Sequence, residues 1–152
     1  MATLEQDIKT SRFTSQYQKL VVNLIFTGNR ISQTHQSFFK PFGLTTAQYN
    51  VLRILRGNYP SPHSVNDIID RMLDPMSNAS RIVDKLESKE LVLRTKNPED
   101  RRAVDVLITE KGLELLSEID DALDRMEHEH NGFTDDELRL INDFLDRFRE
   151  SL

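Results

Sequence analysis

The fold is decided by residues 81–112, which read RIVDKLESKELVLRTKNPEDRRAVDVLITEKG. This stretch begins with apolar residues at helical spacing, continues with β-prone runs at 91–95 and 104–108, and joins those runs by a turn that ends in two arginines. A short amphipathic helix followed by a charged two-stranded ribbon is the layout of a winged helix. Such a helix fits the major groove of B-DNA, about 12 Å wide, while the ribbon reaches an adjacent groove or the backbone. We therefore predict a mainly α-helical protein with a small β-wing.

Residues 75–89 are predicted to form the second helix of a helix-turn-helix, after a short helix that opens at Ser64 and a turn around Leu73 and Asp74. Asp74 is the expected N-cap, with Pro75 at the first helical position. The spacing points one face into a core, made of Ala79, Ile82, Val83 and Leu86. The other face is small, polar and basic and consists of Ser77, Asn78, Arg81 and Lys85, with Ser80 and Asp84 beside them. Any surface helix turns polar residues outward, so a DNA-reading role depends on the neighbouring elements.

The predicted wing supplies that context. Its second strand alternates Val104, Val106 and Ile108 on one face, and Arg101 and Arg102 leave the turn at the hairpin tip. Arginine has a planar fork and a long reach, and narrow minor grooves attract it. A charged hairpin tip is by itself often only a solubility device. Directly after a helix-turn-helix, contact with DNA is the better interpretation.

Long helices are predicted on both sides of the winged helix. The first covers residues 5–40, and Pro41 and Gly43 end it. Capping-box patterns at Thr45 and Thr134 start two further helices, and another helix runs from Thr109 to about His130. The last helix carries an apolar stripe that must be buried: Leu138, Ile141, Phe144, Leu145 and Phe148. Packing on the first helix of the same chain is one solution, and packing on a second chain is better motivated, so we predict a homodimer.

The net charge of −5 is unevenly distributed along the chain. Residues 110–152 carry 14 acidic and 5 basic side chains, whereas residues 1–102 carry 15 basic and 10 acidic ones. A DNA-binding face needs local positive potential and not a positive total. The asymmetry therefore permits DNA binding by the middle of the chain, with the acidic last third held away from phosphates.

Several classes of protein are disfavoured. The chain has no cysteine, which excludes disulfides and thiolate metal sites, and it has neither a signal-peptide pattern nor 18 consecutive apolar residues. The expected location is the cytoplasm, with no membrane partner. Paired carboxylates such as Asp120 and Asp121 come without a nucleophile and base, and no glycine-rich phosphate loop is present, so we expect neither an enzyme nor a cofactor. His128, Glu129 and His130 suggest zinc, but neighbours two apart on a helix face different ways, so no metal site is predicted.

The residues quoted so far carry a family resemblance. The run from Ser77 to Glu87, then Leu91 and Val92, then Asp100 to Arg102, then Ile108 to Gly112 resembles the MarR family of bacterial transcriptional regulators. The resemblance covers nearly the whole chain and implies a single MarR-like domain over 1–152. Within it, residues 45–109 would form the winged-helix DNA-binding part, and 5–40 and 110–152 the dimerisation helices. Two departures are visible: Glu90 stands where many members have glycine, and the absence of cysteine removes the peroxide-sensing subclass.

The resemblance also implies a function and a set of site residues. The expected protein is a dimeric regulator, in the first instance a ligand-responsive repressor, that binds a pseudo-palindromic operator in double-stranded DNA. The implied DNA-binding residues are Ser77, Asn78, Ser80, Arg81, Lys85, Arg101 and Arg102. A small aromatic effector would bind near His35, Phe39, Tyr49 and Arg53, although the aromatic residues among these also fit a plain core. The alternative function is a winged-helix protein-interaction module without direct DNA binding, which would expose apolar residues where this chain has a polar face and arginines.

Overall fold

A computed structural model describes residues 2–10, 12–74, 76–97, 104–130 and 132–152, with the side chains of 129 and 130 excepted. The helices and strands follow in the order α1 (Leu4–Asp7), α2 (Gln16–Phe39), α3 (Thr46–Arg56), β1 (His63–Ser64), α4 (Val65–Arg71), α5 (Ala79–Glu87), β2 (Val92–Lys96), β3 (Val104–Ile108), α6 (Glu110–His130) and α7 (Asp135–Glu150). The strands form one antiparallel sheet in the order β1-β3-β2. The predicted fold class, mainly α with a small β-wing, is confirmed.

The chain divides into two compact units, Met1–Leu116 and Ser117–Leu152. The first contains α1 to β3 and the start of α6. Its core is built by α3, α4, α5 and the sheet, and the fully buried side chains include Leu52, Leu55, Ile68, Val83, Leu86, Val92 and Val106. The second unit contains the rest of α6 and α7, and no residue of α7 is buried in the single chain.

Capping boxes start three of the helices where the sequence predicted them. The side chains of Thr45, Ser64 and Thr134 each accept a hydrogen bond from the backbone amide three residues on, and the side chain at that position reaches back to the cap. These reciprocal bonds satisfy amides that the first turn of a helix leaves without partners. The boundaries of α3, α4 and α7 are therefore fixed by local chemistry.

The prediction of one helix over residues 5–40 is wrong in its first third. The short helix α1 ends at Asp7, and Lys9 has a φ of 55°, a left-handed conformation that a continuous helix excludes. A new helix, α2, begins after Ser15, whose hydroxyl accepts a hydrogen bond from the amide of Gln18. Ser15 and Gln18, three positions apart, match an N-terminal pattern that the prediction of a continuous helix did not use.

The strand β1 was not predicted. It consists of two residues, His63 and Ser64, which pair with Val106 and Asp105 of β3. His63 is buried, and its Nε2 lies 3.0 Å from the guanidinium of Arg71. Because a guanidinium can only donate, Nε2 must accept, and the imidazole is neutral. Burial, followed by the charge of Arg71, lowers the pKa of His63 and favours the same neutral form. The contact between His63 and Arg71 holds α4 against β1, the third strand of the sheet.

The departure at Glu90 has a backbone basis. Glu90 has a φ of 62°, and directly after it the amide of Leu91 bonds to the carbonyl of Leu86 at 3.0 Å, which closes the end of α5. This left-handed conformation suits glycine and costs a residue with a side chain about 1 kcal/mol. The Glu90 carboxylate accepts a hydrogen bond from the ammonium of Lys111 at 2.8 Å, which lowers the pKa of Glu90. Glu90 therefore occupies a strained turn, and its bond to Lys111 links the end of α5 to the start of α6.

Candidate nucleic-acid interface

Helix α5 has one buried face and one exposed face. Ala79, Val83 and Leu86 are buried in the core, and Ile82 is half-buried. Ser80, Arg81 and Lys85 are exposed. This is the division that the 3.6-residue period predicted, because positions three and four apart share a face. Burial of the apolar face fixes which side chains α5 presents to solvent.

The start of α5 differs from the prediction. The helix begins at Ala79 and not at residue 75, and its N-cap is Asn78, whose Oδ1 accepts a hydrogen bond from the amide of Arg81 at 3.0 Å. Asp74 instead closes the preceding turn, where its carboxylate accepts from the amide of Met76 at 3.1 Å and from the hydroxyl of Ser77 at 2.7 Å. Ser77 and Asn78 therefore lie in the turn and the cap, at the end of the helix that points its free amides outward.

Four of the predicted DNA-binding residues border one groove. This groove, of about 400 Å³, lies between the N-terminal turn of α3 and the exposed face of α5. Its lining residues are Thr45, Ala47, Gln48, Ser77, Asn78, Arg81, Ile82 and Lys85. Ser80 is exposed on the same helix but does not line the groove. Two side-chain amides, two cations and the hydroxyl of Thr45 in one groove form a surface that can donate hydrogen bonds to phosphate oxygens and base edges.

Arg94 on strand β2 holds helix α5 in place, a role that the sequence did not indicate. Its guanidinium donates to the carbonyl of Ser80 at 3.1 Å and lies 2.7 Å from the carboxylate of Asp84 and 3.8 Å from that of Glu87. These two carboxylates are the only acidic groups of α5. Arg94 partly neutralises them, so the positive charge of the exposed face rests on Arg81 and Lys85. Two acidic residues three positions apart on a helix, followed by an arginine on the next strand, are the sequence pattern that would have indicated this role of Arg94.

The wing arginines lie outside the described residues. The described part of the wing ends at Asn97 and resumes at Val104, and the last paired residues are Lys96 and Val104. The side-chain amide (Nδ2) of Asn97 donates to both carboxylate oxygens of the buried Asp105, at 3.0 and 3.2 Å, and closes the base of the hairpin. The roles of Arg101 and Arg102 stay predictions.

The four predicted effector residues form one aromatic cluster. Phe39 is only 1% exposed and stacks on Tyr49 with ring centroids 4.3 Å apart, and the ring of His35 meets its edge at 6.0 Å. Arg53 donates to the hydroxyl of Tyr49 at 3.0 Å. Of the four, His35 alone lines the neighbouring pocket of about 560 Å³, whose wall is formed by α2, the start of α3 and the turn before α5. Phe39 therefore belongs to the core, the half-buried Tyr49 stacks on it, and His35 links these rings to the pocket.

Two other kinds of feature, a membrane-spanning helix and a metal-binding cluster, are absent from the described ranges. No helix there has the length and apolar character needed to cross a membrane. In the same residues no three side chains of histidine, aspartate or glutamate come together as a metal-binding group. The side chains of Glu129 and His130, considered above for zinc, fall outside that description.

Comparison with known proteins identifies similar chains. The MarR family model matches residues 44–104. A MarR transcription factor from Planctomyces limnophilus is 32% identical, and its crystal structure has a TM-score of 0.68 over 89% of this chain and 98% of the other. The S. aureus MepR–DNA complex has a TM-score of 0.74 over 93% of this chain and 100% of the other, and at 22% identity it shows a likeness of fold.

The regulator MhqR of Bacillus subtilis (strain 168) is 39% identical over 79 residues, which are 51% of this chain and 52% of MhqR. The match to such curated relatives spans about half of their length.

Proposed function

Because this chain belongs to the MarR family, we propose that it is a transcriptional regulator that binds double-stranded DNA as a homodimer. Its operator is a near-palindrome, and its regulatory action is repression relieved by a small effector. We assign it no enzymatic activity, because paired carboxylates such as Asp120 and Asp121 come without a nucleophile and base, and the sequence has no glycine-rich phosphate loop. A protein that acts on the chromosome works in the bacterial cytoplasm.

The observation that carries the proposal is the exposed face of α5. Its opposite face is locked in the core by Val83 and Leu86, and its carboxylates are paired with Arg94. What remains for a partner is a groove with the donors of Asn78, Arg81 and Lys85, beside Ser77, whose hydroxyl donates to Asp74 and can still accept. A helix of this width enters the major groove, where arginine recognises guanine and asparagine recognises adenine.

The homodimer is supported by apolar side chains that the single chain leaves exposed on its flanking helices. On α2 these are Tyr17, Leu20, Ile25 and Ile31, and on α7 they are Leu140, Ile141 and Phe144. Exposed apolar stripes of this kind mark interaction surfaces. A two-fold dimer would present two copies of α5 to successive major grooves, which requires half-sites about 10 bp apart.

The effector proposal rests on the pocket of about 560 Å³ beside His35. One wall belongs to α2, with Asn29, Ser32 and His35, and another to the turn before α5, with Leu73, Asp74 and Ser77. A small aromatic ligand stacked on His35 would contact the segment that sets the start of the recognition helix. Binding there would change DNA affinity if the ligand prefers one position of that turn.

The first prediction is a strong dependence of DNA affinity on salt. Two copies of Arg81, Lys85 and Arg102, together with amides at helix N-termini, would meet about six to eight phosphates, so log affinity should fall with log salt at a slope of about −5 to −7. The measurement is fluorescence anisotropy with duplexes selected from a random pool by the purified protein, repeated at several salt concentrations.

A second function has one observation in its favour. Leu73 and Met76 are 86% and 92% exposed in the turn before α5, and exposed apolar residues there fit a protein-interaction module. The salt titration separates the two functions: a flat response, or failure to select any duplex, would favour the interaction module.

The second prediction concerns Arg81, which is exposed on α5 and borders the groove. Arg81→Ala should cost roughly 1–3 kcal/mol per half-site and relax sequence preference, since a guanidinium that reads a base edge supplies that discrimination. The measurement is the affinity for the selected operator and for duplexes changed at single positions. Arg125→Ala removes the same charge from an exposed position on helix α6 and serves as the control. An equal loss on every duplex would identify Arg81 as a phosphate contact.

A further inference from the structure

A second pocket beside the recognition helix is lined by three lysines. It has a volume of about 730 Å³ and lies between the C-terminal ends of α2 and α5 and the loop before α3. Lys40, Lys85 and Lys89 supply its charge, and the rest of the wall is neutral: Gln36, Ser37, Gly43, Leu44, Thr45, Gln48 and Ser88. In a chain with a net charge of −5, a pocket wall with three cations and no carboxylate is a local concentration of positive charge.

One of these lysines is held in place by the protein. The ammonium of Lys89 donates to the carbonyl of Gly43 and to Oε1 of Gln48, the latter at 3.3 Å. Gln48 is only 4% exposed and is itself fixed, because its Oε1 also accepts from the amide of Thr45 at 3.0 Å. An ammonium has three hydrogens, so one donor of Lys89 is left for a ligand.

The other two lysines are exposed. In the described part of the chain neither Lys40 nor Lys85 has a carboxylate within 4.0 Å of its ammonium. Like charges around one pocket repel each other, and an oxyanion bound among them would convert that repulsion into attraction. The polar and basic wall disfavours an apolar ligand and favours a compact anion with several acceptor oxygens.

We propose that the pocket of Lys40, Lys85 and Lys89 binds a phosphate group. Lys85 borders both this pocket and the groove on α5, so the two surfaces adjoin. The phosphate comes either from the DNA backbone beside the recognition helix or from a free phosphorylated molecule. The first source rests on the proposed function, and the second is independent of it.

The first arm of the test uses inorganic phosphate on the DNA-free protein. Backbone amide NMR shifts of Lys40 and Ser88 are followed during the titration in the wild type, in Lys40→Gln and in Arg125→Gln. A free source predicts saturable shifts in the wild type and in Arg125→Gln, and an at least fivefold weaker response in Lys40→Gln. Arg125 is the matched control, since it is an exposed cation on α6 that lines none of the pockets described here.

The second arm uses the selected duplex. If the phosphate belongs to the DNA backbone, Lys40→Gln removes one phosphate contact per half-site, and the salt slope of the dimer should become less steep by about 2. Arg125→Gln should leave the slope unchanged. Sequence preference should also be unchanged, since a phosphate contact carries no base information.

The outcomes separate this proposal from the proposed function. Saturable phosphate binding that depends on Lys40, or a slope change that depends on Lys40, supports the site and identifies its source. If the wild type binds no duplex yet binds phosphate through Lys40, the site stands and the regulatory function fails. If the wild type binds duplex DNA, but Lys40→Gln matches it in slope and neither protein shows saturable phosphate binding, the phosphate site is overturned and the function stands.

Discussion

Replacing Gly112 with alanine is expected to destabilise the protein by about 3 kcal/mol or more. A Cβ at this position would lie 2.5 Å from the carbonyl oxygen of Leu91 and 2.7 Å from Cγ1 of Ile108. Neither atom can easily retreat, because the Leu91 carbonyl accepts the amide of Thr109 at 3.1 Å and Ile108 is buried in the core. Overpacking a rigid core typically costs 1–3 kcal/mol, and here the obstacle includes backbone, so we expect about the upper end of that range or beyond. Thermal and urea unfolding measure the change.

Gly28→Ala is the matched control for this substitution. Gly28 lies inside α2, and in the single chain a Cβ there would have nothing within 4 Å. Alanine restricts the unfolded chain and favours the helix, so this variant should be more stable by about 0.5–1 kcal/mol. Opposite signs for the two variants would assign the effect at Gly112 to the close approach of α6 to Leu91, directly before β2, and to Ile108 at the end of β3. A Gly112→Ala protein as stable as the wild type would show that α6 can move away from Leu91 at little cost.

The parts of the fold that the sequence predicted correctly are those determined by neighbouring residues. Thr45, Ser64 and Thr134 each start a helix where expected, because their partners lie three residues away. Likewise, the buried face of α5 follows from its period, since Val83 and Leu86 lie on one side of any helix over this segment. Local hydrogen bonds and helical geometry depend only on residues close together in sequence, so they can be predicted without knowing the rest of the fold.

The parts that were missed depend on distant partners or on a choice between local signals. Asp74 and Asn78 are both good N-cap residues, and the chain uses Asn78 for the helix and Asp74 for the turn. The two residues of β1 have no strand signal of their own, and they are a strand only because β3 pairs with them some forty positions later. In the same way the role of Arg94 depends on Asp84 and Glu87, which lie on another element.

The candidate site shows the same division. Ser77, Asn78, Arg81 and Lys85 were predicted together and border one groove, because a helix and its cap bring them together. Among the predicted effector residues, by contrast, only His35 lines a pocket, since Phe39 and Tyr49 stack on each other. Aromatic residues fit a core and a ligand site equally well in sequence, and the difference is visible only in what surrounds them.

The double substitution Phe144→Asp with Phe148→Asp is expected to abolish the proposed homodimer. Phe144 is 55% exposed in the single chain and Phe148 is half-buried, and both lie on the apolar stripe of α7. Burying each phenylalanine against a partner contributes about 1.5–3 kcal/mol, and a carboxylate in its place adds the cost of burying an unpaired charge. Because both subunits of a symmetric dimer carry the substitutions, the dimer loses this burial free energy twice and also bears the cost of the buried charges twice. Sedimentation should therefore show the 17.7 kDa monomer in place of a species of twice that mass.

Loss of the dimer should also cause loss of operator binding, although none of the residues proposed to contact DNA is changed. Only a dimer holds two copies of α5 at the half-site spacing, so a monomer keeps one half-site and loses cooperative binding to the second. Arg139→Asp is the control: it lowers the net charge by the same two units from the opposite side of α7, where Arg139 is exposed. That variant should remain dimeric and bind the operator, so a defect shared by both proteins would point to charge alone. A double variant that sediments as a dimer and binds the operator normally would instead show that α7 is not the interface, and the exposed stripe on α2 would then have to supply it.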